Sequence, residues 1–322
     1  MPVLNARSKF RGALLGVAVG DALGAPFEGR PHVLPGDLRQ ALDVREPLRY
    51  TDDTHMTLGV AESLVMCRGF DGAHMAAVFA RNFATEPWRG YGAGPPEIFR
   101  LLGEGVPWDQ ASGRLFGGEG SAGNGAAMRV APVALLTCPW LPATAWLARQ
   151  VALITHAHPL GIEGAVLQAC AITLLLQHPA DEPLDVPRFL GMIRGTLHAS
   201  RYAEKLDLVG QLIYAGDPDA GRTLGNSVLA EEAVPAALYA FLRRPSSFLD
   251  VVRYAIGLGG DTDTIGSMAA ALAGAYLGED AIPAPWRASV EGGDELRRLA
   301  DELLRLAASG VQVRRGARAA AR

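Results

Sequence analysis

The 322-residue chain is 49% hydrophobic and 20% charged, with a formal net charge of -4. This composition supplies enough apolar surface for a sizeable core, and the mildly acidic balance excludes a general nucleic-acid binder, which needs a strong basic excess. The three cysteines lie far apart and form no CxxC pair, so neither a disulfide framework nor a structural zinc site is predicted.

Helical periodicity dominates the chain from its first segment. Phe10, Leu14 and Val17 recur at spacings of three and four residues, which predicts a helix over 7–20. Similar patterns predict helices over 53–66, 73–84, 144–154, 163–177, 188–199, 230–242, 247–257, 264–277 and 294–308. Strand patterns are nearly absent, so the predicted fold class is all-α. The Gly/Pro-rich segments 86–96 and 103–125 are predicted loops, and their length favours a functional role.

The organisation of the chain is predicted to be simple. We expect one compact domain over 1–308 and a basic, disordered tail over 309–322, because no linker divides the chain and its end is rich in arginine and alanine. No targeting segment is visible, and no stretch reaches the ~18 uninterrupted apolar residues of a membrane span. We therefore expect a cytoplasmic, monomeric protein without a membrane partner.

Acidic residues recur in turns rich in glycine and threonine. Two pairs, Asp52-Asp53 and Asp261 with Asp263, each precede an apolar helix and are flanked by threonines. Helix capping explains one acid or one threonine, but neighbouring carboxylates beside an apolar helix are costly unless a cation neutralises them. Hard oxygen ligands favour Mg²⁺, Mn²⁺ or Ca²⁺ over zinc, and two such clusters would suit a pair of ions.

Three segments together resemble the ADP-ribosylglycohydrolase family. They are Gly-Val-Ala-Val-Gly-Asp-Ala-Leu-Gly (16–24) followed by Glu28, Tyr-Thr-Asp-Asp-Thr (50–54) and Leu-Gly-Gly-Asp-Thr-Asp-Thr-Ile (258–265). Segments 91–94, 116–129, 155–158 and 225–235 resemble the branch that removes ADP-ribose from serine and degrades poly(ADP-ribose) and O-acetyl-ADP-ribose. The similarity spans about 8–308. It implies a compact, single-domain orthogonal helical bundle of the family type.

The resemblance also implies roles for individual residues. Two Mg²⁺ or Mn²⁺ ions would be held by the metal ligands Thr51, Asp52, Asp53, Asp261, Asp263 and Thr264. Glu28 matches a glutamate beside the metals and is our candidate for catalytic proton transfer, with Asp261 as its rival in the metal shell. The loop 117–125 matches a diphosphate-binding loop. The predicted substrate-binding residues are Asp21, Gly92, Gly94, Phe116, Gly117, Gly118, Gly120, Ser121, Gly123, Asn124, Gly125 and His156.

The implied activity is hydrolysis of the C1″ glycosidic bond of O-linked ADP-ribose, in a protein or a small molecule. This bond breaks through a transition state of oxocarbenium character. One departure concerns Ala122, where the vertebrate serine-specific enzymes have a tyrosine that stacks on adenine opposite the residue matched by Phe116. Losing that stacking partner would cost about 1–3 kcal/mol of binding.

Three alternatives remain open from the sequence. Arginine-linked ADP-ribose is the first, although enzymes with that specificity tend to have Gly-Asp-Asp-Ala-Asp where this chain has Gly-Gly-Asp-Thr-Asp (259–263). The second is a non-catalytic ADP-ribose binder or structural relative, in which eroded metal ligands are expected. The third is a metal-dependent phosphatase.

Overall fold

The computed structural model describes residues 3–43, 47–179, 182–198, 200–215 and 220–310. Regular structure in these ranges is helical, and the backbone bridges found there are isolated ones, Leu48 with Val290 and Gly123 with Leu229. The α-helices, in chain order, are α1 Val3–Gly24, α2 Pro35–Leu42, α3 Asp52–Met66, α4 Gly72–Thr85, α5 Gly94–Gly103, α6 Ala131–Thr137, α7 Leu141–Leu153, α8 Pro159–Gln177, α9 Val186–Arg194, α10 Ser200–Ala215, α11 Ala220–Leu224, α12 Ala230–Arg243, α13 Phe248–Gly257, α14 Thr262–Leu277, α15 Ala284–Ser289 and α16 Gly293–Ala308.

The all-α prediction is confirmed, with differences at particular elements. Helix α9 ends at Arg194, earlier than the predicted 199, and α5 begins inside the predicted loop 86–96. Its first turn is Gly94-Pro95-Pro96, a composition that indicates a loop, yet proline is well tolerated in a first helical turn because its missing N–H would have no helical partner there. The prediction also missed α2, α6, α10, α11 and α15. The predicted tail lies outside the described residues from 311 onward.

Helices α1 and α14 form the central pair of the fold, and they approach unusually closely. Four glycines at a four-residue spacing line the α1 face of the contact: Gly12, Gly16, Gly20 and Gly24. A Cβ atom placed on Gly20 would lie 2.2 Å from the carbonyl oxygen of Gly266, so no side chain fits there. The first and the fourteenth helix are therefore held backbone against backbone.

Helix α8 is the most apolar long element. Its Pro159–Gln177 span reaches a mean hydropathy of 1.7 over 18 residues, which is sufficient by length and composition for a membrane span. However, 78% of that window is buried inside the protein, where it packs in the core. This burial is the pattern of a core helix, so the hydropathy gives only weak support for a membrane role.

Candidate active site

A cavity of about 270 Å³ brings the acidic clusters and the glycine-rich loop together. It lies where α3 and α14 begin, facing the loop that precedes α6. The predicted site residues that line it are Glu28, Asp52, Asp53, Gly92, Gly94, Phe116, Ser121, Gly123, Asn124, Gly125, His156, Asp261, Asp263 and Thr264. A larger cavity of about 800 Å³ lies between α2 and α13, and none of the predicted site residues lines it.

At one end of this cavity, carboxylates converge as a cation site requires. Ligand oxygens of Glu28, Asp261 and Asp263 all lie within 4.8 Å of one another. Asp53 is buried, and its Oδ2 accepts a 3.2 Å hydrogen bond from the Thr264 hydroxyl. Its Oδ1 is buried without a hydrogen-bond partner among the described residues. Since buried carboxylate oxygens are normally paired, this orphaned oxygen fits a group that accepts a divalent cation.

The electrostatics of the cluster agree with this reading. Burial, and then the nearby charge of Asp21, raises the pKa of Asp52 to about 7. Burial, together with a hydrogen bond to Asp261 and its charge, raises the pKa of Asp263 to about 9. Burial, and then the nearby charge of Asp21, raises the pKa of Asp53 well above its ordinary value. These carboxyls cannot all be ionised at neutral pH without a positive charge between them.

Asp21, predicted among the substrate-binding residues, does not line the cavity. It is completely buried, and its carboxylate accepts hydrogen bonds from the backbone N–H and the hydroxyl of both Thr51 and Thr54, at 2.6–3.0 Å. These N–H groups belong to the start of α3, where backbone donors lack helical partners. Asp21 therefore caps α3 from outside the helix and fixes the turn that carries Asp52 and Asp53. Thr51, which donates to Asp21, does not line the cavity either.

The turn before α14 is joined to the turn that carries Glu28. Gly29 donates its N–H to the Gly260 carbonyl and Gly260 donates to the Arg30 carbonyl, each at 2.8 Å. Gly260 has a φ of 74°, and a Cβ on it would lie 2.0 Å from the Asn226 carbonyl oxygen. Only glycine fits this conformation and this space. The backbone pairing thus sets Glu28 and Asp261 beside each other.

The glycine-rich loop forms the opposite wall. Gly123 bridges to Leu229, and the buried Asn124 donates its side-chain amide to Asp261 Oδ2 at 2.6 Å, which fastens the loop to the acidic cluster. Gly117 and Gly118 are exposed and do not line the cavity, and Gly120 packs against Ala157. The part of the loop that faces the cavity is therefore 121–125. Phe116 lies at the cavity rim with 59% of its surface exposed.

His156 reaches the cavity together with Arg129 and Thr155, for which no role was predicted. Its Nδ1 lies 2.7 Å from the Thr155 hydroxyl oxygen, and that oxygen accepts a 2.6 Å hydrogen bond from the Arg129 guanidinium. Arg129 and Thr155 both line the cavity and are buried. The sequence signal for Arg129 was its place at the end of the conspicuous segment 116–129, but nothing in the sequence shows that its charge is buried.

Fold and site together define an all-helical protein whose cation-suited acidic pocket faces a glycine-rich loop. The chain belongs to the ADP-ribosylglycohydrolase family, whose model matches residues 2–312. It is similar to ADP-ribosylhydrolase ARH3 of Bos taurus, at 37% identity over 93% of each chain, and of Homo sapiens, at 36% over 93% of each. It is also 30% identical to the ADP-ribosyl-[dinitrogen reductase] glycohydrolase of Rhodospirillum rubrum, over 92% of this chain and 95% of that one.

A solved structure agrees with this membership. A chain described as an ADP-ribosylglycohydrolase-related protein complex superposes with a TM-score of 0.72 at 31% identity, covering 94% of this chain and 99% of that one. The predicted family, and with it the prediction of an ADP-ribosyl glycohydrolase enzyme, are confirmed. The roles of the individual site residues stay predictions.

Proposed function

We propose that the protein is a metal-dependent hydrolase that cleaves the C1″ glycosidic bond of O-linked ADP-ribose, in serine-ADP-ribose and O-acetyl-ADP-ribose, with poly(ADP-ribose) as a further candidate substrate. The observation that carries this proposal is the single cavity in which Glu28, Asp261 and Asp263 face the loop 121–125 and His156. Acids at one end suit a sugar undergoing cleavage, and backbone N–H groups of a glycine-rich loop suit a diphosphate.

The acidic end fits two Mg²⁺ or Mn²⁺ ions. The ligands would be Asp52, Asp53, Asp261, Asp263 and Thr264, with Thr51 as the further candidate that the family resemblance supplies. The orphaned oxygen of Asp53 and the raised pKa values of its neighbours support this assignment. Bound divalent cations supply charge neutralisation and Lewis-acid activation in such a pocket.

Glu28 is the proposed acid–base residue. All three acids line the cavity, but Glu28 is solvent-exposed whereas Asp261 and Asp263 are buried. Glu28 follows a short 3₁₀ turn, Ala25–Phe27, and the backbone of the next two residues, Gly29 and Arg30, pairs with Gly260, which holds the turn while the Glu28 side chain extends toward the site of the substrate. Positioned proton transfer of this kind contributes about 10²–10⁴-fold to a rate.

The preference for an O-linked acceptor rests on the segments that resemble the serine-cleaving branch. The higher identity to the vertebrate ADP-ribosylhydrolases than to the dinitrogen reductase glycohydrolase supports the same choice. Arginine-linked ADP-ribose is the second candidate, because the latter relative also matches nearly the whole chain. The single domain over 1–308, the monomeric state and the cytoplasmic location stay predictions.

Two peptides of equal sequence, ADP-ribosylated on serine in one and on arginine in the other, separate these candidates. We expect release of ADP-ribose from the serine peptide only, its loss in EDTA and its return with Mg²⁺ or Mn²⁺. Glu28→Gln should retain metal binding but lose the rate, whereas Asp261→Asn should lose both. Cleavage of the arginine peptide alone, turnover of phosphate esters, or full activity in EDTA would each reject the proposal.

A further inference from the structure

Arg129 is a buried cation with an unusual environment. Its side chain is 1% exposed, and among the described residues its hydrogen-bond acceptors are neutral: the Gly125 carbonyl at 2.9 Å, the Val151 carbonyl at 3.1 Å and the Thr155 hydroxyl at 2.6 Å. The Nε–H has no partner there. A guanidinium buried beside neutral acceptors is costly, so its retention at the cavity wall calls for a compensating role.

One of the two hydrogen bonds of the Thr155 hydroxyl has a direction fixed by chemistry. Arginine has five donors and no acceptor, so the Thr155 oxygen must accept from Arg129. Nδ1 of His156 lies 2.7 Å from the same oxygen, where it can accept the Thr155 hydroxyl proton. An Nδ1 that accepts a hydrogen bond carries no proton, which places the imidazole proton on Nε2.

Nε2 is the ring nitrogen that faces the glycine-rich loop. A Cβ built on Gly125 would lie 3.4 Å from Nε2, and one built on Gly123 would lie 3.6 Å from it. Nε2 therefore lies beside the part of the loop that faces the cavity. Burial, and then the charge of Arg129, lowers the pKa of His156 to about 3, so the ring is neutral and has a single proton to place.

We propose that Arg129 and Thr155 are positioning residues that hold His156 as the Nε2–H tautomer, so that it donates a hydrogen bond to an oxygen of bound ADP-ribose. This inference rests on the proposed function. ADP-ribose presents phosphate and hydroxyl oxygens to the loop, and the opposite tautomer would present a lone pair to these acceptors. The three residues form a relay from the buried guanidinium to the substrate, and Arg129 also fixes Gly125 in the same loop.

The relay can be observed directly by long-range ¹H–¹⁵N NMR on the ligand-free, full-length protein, with the His156 signals assigned by their loss in His156→Gln. We expect a protonated Nε2 and an unprotonated Nδ1. Thr155→Val keeps the side-chain shape but removes the hydroxyl, so the second tautomer should appear. Thr155→Ser should restore the single tautomer. Thr173→Val, at a buried threonine that does not line the cavity, is the matched control.

The functional readout is the affinity for ADP-ribose and the division of the effect between KM and kcat. Thr155→Val should weaken ADP-ribose binding about tenfold and raise KM more than it lowers kcat, because one hydrogen bond to the ligand is lost. Thr155→Ser and Thr173→Val should bind within about twofold of the wild type. A structural defect would instead lower the thermal stability of Thr155→Val far below that of Thr173→Val.

The tautomer is read without substrate, so two failures can be told apart. A wild-type protein that hydrolyses ADP-ribosyl peptide but carries its proton on Nδ1 overturns the relay alone. So does a Thr155→Val variant that keeps both the Nε2–H tautomer and wild-type affinity. A wild type with the Nε2–H tautomer that neither binds ADP-ribose nor cleaves any ADP-ribosyl substrate overturns the proposed function, and with it the role of the relay.

Discussion

The acidic cluster should make the metal-free protein less stable to unfolding as the pH rises. The pKa of Asp52 is raised to about 7 and that of Asp263 to about 9, chiefly by burial, whereas an unfolded aspartate titrates near pH ~3.9. The folded, metal-free protein therefore binds protons more tightly than the unfolded chain. This stabilising contribution is complete below about pH 4 and is lost as the pH rises through the folded-state values. A divalent cation should replace the proton and remove the loss.

The size of the effect follows from linkage. One proton retained by the folded state lowers the free energy of unfolding by about 1.4 kcal/mol for each pH unit gained. The window for Asp52 runs from about pH 4 to about pH 7, and the raised pKa of Asp263 extends it to about pH 9. For a chain of 322 residues, with an unfolding entropy of ~2.1 cal/mol/K per residue, each kcal/mol shifts Tm by about 1.5 °C. A cation present at ~100 times its Kd should raise the free energy of unfolding by about 2.7 kcal/mol.

Thermal unfolding in EDTA and in excess Mg²⁺, over a series of pH values, measures this directly. We expect Tm to fall with rising pH in EDTA and to be restored by Mg²⁺, most strongly at the highest pH. Asp53→Asn should flatten the slope and reduce the response to Mg²⁺, while Asp294→Asn, at a fully exposed acid of α16, should change neither. A Tm in EDTA that is constant or rises with pH, with no Mg²⁺ response, would refute the assignment of the cluster as a cation site.

Three further predictions concern packing, capping and the adenine end. Gly20→Ala should destabilise the fold by about 1–3 kcal/mol through overpacking of α1 on α14. Gly191 of α9 has open space around it, so Gly191→Ala should instead stabilise the fold by up to about 1 kcal/mol. Equal urea midpoints for the two variants would contradict this. Asp21→Ala should cost about 3 kcal/mol or more in unfolding free energy, because several buried donors lose their acceptor, and it should weaken Mg²⁺ binding; unchanged calorimetry would remove its role as a cap. Ala122→Tyr should tighten ADP-ribose binding by about 1–3 kcal/mol if it stacks opposite Phe116, and titration calorimetry showing no gain would exclude adenine from that rim.

The sequence predicts which residue types form the site better than it predicts which way each side chain faces. Paired acids in Gly/Thr turns indicated a cation site, and the residues 52, 53, 261 and 263 do converge on one cavity. Asp21 also lies among glycines in the sequence, yet its carboxylate faces the backbone of α3 and not the cavity. Sequence spacing shows which acids share a turn, but the side of a helix end that a carboxylate faces depends on packing between α1 and α3.

Buried charge is the second thing that the sequence could not show. Arg129 follows two alanines and a methionine, so its neighbours suggest an ordinary charged residue at the start of a helix. In the fold, its guanidinium lies over the Phe79 ring at 5.1 Å and reaches the end of α7. These contacts come from α4 and α7, which are distant in the chain, so no local pattern marks them.

The glycine face of α1 explains how packing in the core sets the positions of the acidic residues in the site. A Cβ on Gly24 would lie 2.3 Å from the Thr262 carbonyl oxygen, so the close contact of the helix pair extends to the first residue of α14, beside Asp261 and Asp263. Four residues beyond the end of α1 lies Glu28. Residues more than 230 positions apart thus meet because two backbones pack without side chains between them. Widening this contact by one methyl group would separate Glu28 from its partner acids, so a change in the core should weaken metal binding before it unfolds the protein.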